Sequence, residues 1–249
     1  MNVRINKLLA DLGLSSRRGA DLLISAGKVK INGRKAKLGE KVDLKKDKLV
    51  VNGELINQEI LHEVEGGENY EYWLLNKPPS VISAVSDPAQ RKTATYYLKN
   101  KTQARLYPVG RLDYESEGLL LMTNDGELTY RLTHPKYEVE KEYAVDATGI
   151  FSQSKIARLE KGVLLAGRRA KADQVELLEK DGRNLQLKFI LHEGRKREVR
   201  RLCARVGWEV KRLVRVRLAN LELGNLEPGT VRKLTEEEIA KLKGSVKLK

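Results

Sequence analysis

Three carboxylates stand within five positions of a chain whose formal net charge is +14. They are Asp113, Glu115 and Glu117, and the apolar run GLLLMT follows them directly. An acid beside an anionic partner weakens binding, so we expect one of these groups to do chemistry. An ionised Asp113 has the chemistry of a nucleophile or of a general base. The longer, freer side chains of Glu115 and Glu117 favour solvated positions.

The loop that carries Asp113 is predicted to be held rigidly. Pro108 and Gly110 favour a loop over RLDYESEG, and residues 118–123 form a continuous apolar run that is typical of a buried strand. An isolated Asp is most often a turn residue or half of a weak surface ion pair. Position alone therefore holds Asp113 in a rigid loop, two residues after Arg111, and leaves its role open.

A second concentration of charge lies in residues 191–217, which hold ten Lys or Arg against three Glu. In a helix, Arg197, Arg200 and Arg201 would lie near one another, with the apolar residues between them turned inward. Charge runs usually form solvated faces. Because apolar positions at helical spacing interrupt this one, we expect one or two of its arginines to point into a cleft.

The composition favours a nucleic-acid partner. A third of the residues are charged and the pI is near 9.7, so the surface is strongly cationic; a membrane surface is the rival partner. No apolar stretch approaches the ~20 residues that a spanning helix needs, and the segment MNVRINKLL lacks the apolar core of a signal peptide. We therefore expect a cytoplasmic protein without a membrane partner.

The sequence predicts neither a metal nor a cofactor. His62, His134 and His192 are far apart and show no metal-ligand spacing, and no glycine-rich phosphate or dinucleotide loop is present. Cys203 is the single cysteine, which excludes an internal disulfide and favours a buried thiol in a reducing compartment.

The first sixty residues predict two helices on a small sheet. INKLLADLGL places apolar residues on one helical face, and Ser15 or Ser16 can cap a second helix that ends at Gly27. Strands then follow around a tight turn at Asn32-Gly33. Residues 1–62 hold 13 Lys or Arg against 7 Asp or Glu, which indicates an RNA or DNA surface.

A polar stretch containing Gly-Gly, residues 63–70, predicts a linker to a second domain over residues 71–249. There, strand-like runs alternate with helical ones near residues 151–162, 197–207 and 235–244. Hairpin spacing around Asp181-Gly182 favours antiparallel pairing. The expected fold class is α+β, with a small RNA-binding domain followed by a domain with a mixed, largely antiparallel sheet.

The segment RINKLLADLGLSSRRGADLLISAGKVKING resembles the S-four type of RNA-binding domain, named after a ribosomal small-subunit protein. A phosphate docked at the second helix would also offset the cost of about 0.3 to 1 kcal/mol for each cation in its first turn. The resemblance implies RNA contacts by Arg4, Lys7, Ser16, Arg17, Arg18, Lys28 and Arg34.

The segment GRLDYESEGLLLMTNDG resembles the signature of pseudouridine synthases of the RsuA/RluB type. The resemblance implies that Asp113 is catalytic, that Tyr143 of the KEY segment stacks on the target uracil, and that Arg200 of REVRRL is the basic partner of the aspartate. It also implies that Leu213 of KRLVRVR packs beneath the base. We expect further substrate contacts from Arg111, Lys141, Arg197 and Arg201.

The resemblance implies an isomerase that converts a uridine to pseudouridine in ribosomal RNA, and it leaves open whether the substrate is free RNA or a partly assembled subunit. No sequence feature indicates an oligomer, so we expect a monomer. GRKREVRRLCARVG is most similar to the RluB-like branch, which acts on large-subunit RNA. Pro79-Ser80 departs from the family pattern and leaves substrate contacts in that loop open. Two alternatives remain, namely a ribosome-assembly factor that binds RNA without turnover and a sugar hydrolase with paired carboxylates.

Overall fold

The computed structural model describes residues 2–56 and 70–248. It divides into two compact units, the first reaching to Glu71 and including Asn124–Gly126, the second comprising Tyr72–Thr123 and the chain from Glu127 onward. The boundaries 1–62 and 71–249 stay predictions. The predicted linker at 63–70 lies outside the described residues except for Tyr70.

The described residues of the first unit form two helices and six short strands. The helices are α1 (Ile5–Asp11) and α2 (Arg17–Ser25). The strands are β1 (Val3–Arg4), β2 (Val29–Ile31), β3 (Arg34–Lys35), β4 (Lys41–Val42), β5 (Leu49–Val51) and β6 (Glu54–Ile56). Four of them form an antiparallel sheet in the order β3-β2-β5-β6, and β1 pairs with β4.

Local sequence signals account for this unit. The Ser16 hydroxyl accepts a hydrogen bond of 2.9 Å from the Gly19 amide and caps α2, as predicted. Ile5 and Leu9 of α1 are fully buried in a core shared with β2 and β5. Asn32 takes a left-handed conformation at the turn between β2 and β3, which Asn tolerates better than most residues.

The rest of the described chain contains four further helices and eleven strands. The helices are α3 (Gly126–Thr133), α4 (Gln153–Lys161), α5 (Glu198–Arg205) and α6 (Glu236–Ser245). The strands are β7 (Tyr72–Lys77), β8 (Tyr107–Pro108), β9 (Glu117–Thr123), β10 (Lys141–Thr148), β11 (Val163–Leu165), β12 (Arg168–Ala170), β13 (Gln174–Asp181), β14 (Asn184–Leu191), β15 (Glu209–Leu218), β16 (Leu221–Glu222) and β17 (Val231–Lys233). Two 3₁₀ turns cover Ala94–Leu98 and Pro135–Tyr137.

The large sheet has the order β13-β14-β10-β15-β9-β7-β17, with β8 paired to β9 and β16 paired to β15. Every pairing is antiparallel except that of β9 with β15. The predicted α+β class with a mixed, largely antiparallel sheet is confirmed. The one parallel pairing brings the strand after Asp113 beside the strand that carries Leu213.

Helix α3 was not predicted. It is short, it begins at Gly126, and it includes two threonines, so its propensity is weak. Its buried residues, Leu128 and Leu132, lie four positions apart and were the available signal. Cys203 is buried as predicted, and burial raises the pKa of its thiol to about 12. Within residues 2–56 and 70–248, no helix combines the length and apolar character needed to cross a membrane.

Candidate active site

Asp113 lies in a cavity of about 350 Å³ in the second unit. The walls come from the loop before β9, the end of α3, strands β10 and β15, and the segment leading into α5. Six lysines and arginines line the cavity, against three acidic residues. This size is within the usual range for sites that enclose a small molecule or one nucleoside.

The loop that carries Asp113 is fastened at both sides of the aspartate. The Leu112 amide donates to the Ser83 hydroxyl, which donates back to the Leu112 carbonyl, both at 3.0 Å. On the other side, the Ser80 amide donates to the Tyr114 carbonyl at 2.8 Å. Asp113 itself is half-buried. The rigid loop that the sequence predicted is therefore present, and it is held by the segment after β7.

A buried cation lies beneath this loop. Lys77, at the end of β7, is fully buried, and its ammonium donates to the carbonyls of Pro78 at 2.8 Å, Val81 at 2.9 Å and Tyr114 at 3.5 Å. Burial lowers the pKa of Lys77 to about 8, while the negative charges of Glu117 and Asp113 act in the opposite direction. Lys77 thus supplies a hydrogen bond to the loop, at the Tyr114 carbonyl, and it also supplies positive charge near Asp113.

The cavity floor comes from two neighbouring strands. Tyr143 of β10 pairs in register with Arg215 of β15, and Val145 pairs with Leu213. All four are buried, and Tyr143, Leu213 and Arg215 line the cavity. Burial raises the pKa of Tyr143, and the charge of Arg215 acts against that rise. The predicted aromatic and apolar neighbours of the base therefore lie in the cavity that holds Asp113.

Three polar side chains of the cavity lining have buried atoms without a hydrogen-bond partner among the described residues. These atoms are Ser116 Oγ, Glu198 Oε1 and Arg215 Nη2. Arg215 Nε is satisfied, since it donates to the Leu119 carbonyl at 2.8 Å. Buried polar atoms in folded proteins are nearly always paired, so such a group of orphans in one cavity is typical of a site that binds a polar ligand.

The predicted ion pair between Asp113 and Arg200 is not formed in this structure, although both residues are described. Arg200 donates to the Val210 carbonyl at 3.1 Å, and the carboxylate within 4 Å of its Nε is that of Glu115, at 3.9 Å. It lines a neighbouring depression instead of the Asp113 cavity. The reason is helical geometry, because α5 turns its apolar residues inward and directs Arg200 toward the start of β15.

Arg197 lines the Asp113 cavity, whereas Arg201 does not. Their contacts with the substrate stay predictions. Arg197 precedes α5 in a left-handed conformation and donates to Glu115 at 2.5 Å. This bond lowers the pKa of Glu115. The prediction that Glu117 is solvated is wrong. Its side chain is only 15% exposed and accepts two hydrogen bonds from Arg212.

Arg111 and Lys141, the two remaining predicted substrate contacts, both line the cavity. Arg111 is exposed. The Lys141 ammonium donates to the Val139 carbonyl at 2.7 Å and the His192 carbonyl at 3.0 Å. Burial lowers the pKa of Lys141 to about 8, and the charge of Arg215 acts in the same direction. Arg111 is therefore the more available of the two to an anionic ligand.

The predicted RNA contacts of the first unit lie largely on its surface. The exposed cations are Arg4, Lys7, Arg17, Arg18, Lys28 and Arg34. Arg34 pairs with Glu40, which is a surface ion pair of small net energy. Ser16 uses its hydroxyl oxygen to cap α2. The exposed cations are thus free of core packing and available to phosphates.

Sequence reasoning missed Arg215, Glu198 and Lys77 as members of the site. A signal for Arg215 was present, because side chains two apart in a strand share one face and Leu213 was already assigned to the base. Glu198 had no such signal, and the signal for Lys77 was its place in an Asn-Lys-Pro segment that follows the family pattern. Their importance comes from burial, which is decided by the whole sheet.

Comparisons with known proteins identify the family to which each part of the chain is similar. A family model described as RNA pseudouridylate synthase matches residues 71–205, and an S4 domain model matches residues 3–49. The chain is 40% identical to the ribosomal large subunit pseudouridine synthase B of Bacillus subtilis, with 96% of this chain and 95% of that protein covered. It is 39% identical to an uncharacterized RNA pseudouridine synthase of Aquifex aeolicus, with 100% and 97% covered.

A crystal structure of a pseudouridylate synthase is similar throughout, with a TM-score of 0.64, 30% sequence identity, and 96% of this chain and 99% of that chain covered. The predicted resemblances are thereby confirmed for both parts of the sequence. The synthase model matches more than half of the chain, and the S4 domain model matches the part before it. The chain belongs to the RNA pseudouridylate synthase family.

Proposed function

We propose that this protein isomerises a uridine of large-subunit ribosomal RNA to pseudouridine. The observation that carries the proposal is the shared cavity of Asp113, Tyr143 and Leu213, which has room for one everted nucleoside. The names of the relatives from Bacillus subtilis and Pseudomonas aeruginosa, both ribosomal large subunit pseudouridine synthase B, support the choice of RNA.

The target base must leave its stack to reach Asp113. Everting a base costs a few kcal/mol, and an aromatic face recovers roughly 1 to 3 kcal/mol of that cost. Tyr143 offers the aromatic surface, and Leu213 offers the apolar surface beneath the ring. The orphaned atoms of Ser116 and Arg215 provide a donor or acceptor for the polar groups of the nucleoside.

The reaction breaks the bond between N1 of uracil and C1′ of ribose and forms a bond between C5 and C1′. The proton on C5 is lost and N1 gains one, so no atom is added and no redox partner is consumed. Asp113 acts on the sugar, as a nucleophile at C1′ or as a base. Both roles require the ionised carboxylate, which nearby positive charge favours.

We propose that Lys77 and Arg197 support the charge on Asp113. The Asp113 charge partly offsets the lowering of the Lys77 pKa by burial, and it adds to the rise in the Arg197 pKa that comes mainly from Glu115. Arg200 is retained as a positioning residue. Its guanidinium faces Glu115, two residues after Asp113, so it acts on the catalytic loop through that carboxylate. Lys141 and Arg111 complete the proposed substrate contacts within the cavity. Arg201 does not line the cavity, so we propose that it contacts the RNA outside it.

We propose that the first unit holds the protein on RNA through its exposed cations, and that the protein works as a monomer in the cytoplasm on free RNA or on a partly assembled subunit. No cofactor or metal enters the proposed reaction.

Mapping pseudouridines in ribosomal RNA from cells with and without this gene tests the proposal. We expect one or a few sites to disappear from large-subunit RNA without the gene and to return with the wild-type protein. They should not return with Asp113→Asn, and RNA affinity of that variant should stay within a few fold. An unchanged map, or full restoration by Asp113→Asn, would contradict the proposal. Tight RNA binding with no product would favour the assembly factor instead.

A further inference from the structure

Three aromatic rings form a cluster that is joined to the lining of the Asp113 cavity through one member, His134, and the proposed reaction does not use them. Tyr130 and His134 have ring centroids 5.0 Å apart, and Tyr137 meets them edge-on at 6.0 and 6.5 Å. His134 lines the cavity wall together with Thr133 and Pro135. The cluster therefore continues outward from the wall of the cavity.

The cluster is exposed to solvent, whereas an aromatic cluster that stabilises a core is buried. Tyr130 is 44% exposed, and His134 is exposed as well. Aromatic surface is costly to leave in water, yet Tyr130 and His134 remain exposed even with the Lys136 ammonium over the Tyr130 ring. Packing of the fold does not account for this exposure.

The His134 ring is held in a fixed orientation. Its Nδ1 accepts a hydrogen bond of 3.2 Å from the Lys136 amide, where His134 caps the turn Pro135–Tyr137. In the neutral ring this bond places the proton on Nε2, at the opposite edge. A ring fixed by its backbone loses little conformational entropy when a ligand stacks on it.

Positive charge accompanies the rings. The Lys136 ammonium lies 5.4 Å from the Tyr130 centroid and 4.7 Å from that of Tyr137. Arg111, on the cavity wall, is exposed. Aromatic faces interleaved with cations are the arrangement that binds single-stranded RNA, since bases stack on the rings and phosphates meet the cations.

We propose that Tyr130 and His134 form a stacking site for a nucleotide next to the target uridine, with Lys136 on its phosphate. The inference rests on the proposed function and deepens it. Everting the uridine deprives its neighbours of a stacking partner, and a neighbour that stacks on these rings regains that energy. The opened strand is thereby held at the cavity mouth while the uridine occupies the Asp113 site.

The test uses the full protein and a stem-loop RNA that carries the mapped uridine, with 2-aminopurine placed at the nucleotide before or after it. Tyr130→Ala and Tyr130→Leu should raise KM about 5- to 150-fold, which corresponds to one missing base stack, with kcat changed less than threefold. Tyr130→Phe should stay within twofold of wild type. The wild-type protein and Tyr130→Phe should quench 2-aminopurine at one of the two positions, and Tyr130→Ala should not.

Tyr96→Ala is the matched control. Tyr96 is also exposed, at 50%, and lies under Lys92, but its ring partner Tyr97 does not line the Asp113 cavity, whereas the ring partner of Tyr130, His134, does. It should change KM by less than twofold. Equal effects at Tyr96 and Tyr130, or unaltered quenching in both Tyr130→Ala and Tyr130→Leu, would overturn the inference.

Failure of the proposed function is a separate outcome. It would appear as no product from the wild-type protein, whereas failure of the stacking site would leave a wild-type enzyme that turns over and Tyr130 variants that match it. The quenching experiment repeated in Asp113→Asn reports the stacking without any turnover.

Discussion

Gly118 lies directly against the backbone of Arg215. A Cβ built on Gly118 would lie 2.3 Å from the Arg215 carbonyl oxygen and 2.8 Å from its amide nitrogen. The two residues pair in register where β9 and β15 run parallel. This close approach joins the strand that follows Asp113 to the strand that carries the cavity floor, so the geometry of the site depends on the absence of a side chain at residue 118.

Gly118→Ala should therefore unfold more easily and lose activity. The added methyl group meets backbone atoms that cannot move without separating the strands, and we expect a decrease of about 3 kcal/mol or more in the free energy of unfolding. Gly167→Ala is the control, since Gly167 also has positive φ, at +77°, with no atom within 4 Å of its Cβ position. Urea denaturation of both variants measures the free energy of unfolding. Equal decreases in the two variants would show that the backbone strain of a side chain at positive φ, and not the contact with Arg215, causes the loss.

Arg215 and Arg200 should respond differently to substitution. Arg215→Met removes the buried guanidinium from the cavity, and we expect kcat to fall about 100-fold or more. Arg200→Ala should reduce activity less and through Glu115, so adding Arg200→Ala to Glu115→Gln should cost little more than Glu115→Gln alone. Single-turnover kinetics of the set measures this. Additive effects of the Arg200 and Glu115 substitutions would show that Arg200 acts on Asp113 without Glu115.

Lys77 should give the folding stability a pH dependence. Its pKa is lowered from 10.5 to about 8 in the fold, so between these values the unfolded chain binds a proton that the folded chain has released. The free energy of unfolding therefore rises with pH across this window because of Lys77. In Lys77→Met the rise should be smaller, while Lys141, whose pKa is also lowered to about 8, contributes to both proteins. Denaturation at a series of pH values from 8 to 10 measures this. An equal rise in the free energy of unfolding in the wild-type protein and in Lys77→Met would contradict the assignment.

Arg17 and Arg18 should affect RNA capture more than chemistry. Both are exposed in the first turn of α2, where a phosphate would relieve their repulsion from the helix dipole. Replacing both with Gln should weaken RNA binding and reduce the salt slope of log K by about 0.7 for each phosphate of a single strand that the variant no longer neutralises. The value of kcat at saturating RNA should stay within twofold. Salt titrations of binding measure the slope, and an unchanged slope would place the RNA elsewhere.

The sequence by itself determined the parts of this protein that depend on local pattern. Ser16 capping α2, the buried strand after Asp113, the fold class and the motif carrying Asp113 all rest on neighbours within a few positions. Periodicity and capping act over one or two helical turns, so they can be read without knowing the rest of the chain.

The tertiary structure decided which charged groups meet. Arg200 is near Asp113 by motif, but the start of α5 turns it toward Glu115, while the parallel pairing of β9 with β15 brings Arg215 to the cavity. Lys77 is more than thirty residues from Asp113 in sequence, yet its ammonium reaches the Tyr114 carbonyl. These contacts join segments that are distant in sequence, and they depend on the order of the strands and on burial in the whole sheet. Patterns among neighbouring residues encode neither the strand order nor the burial.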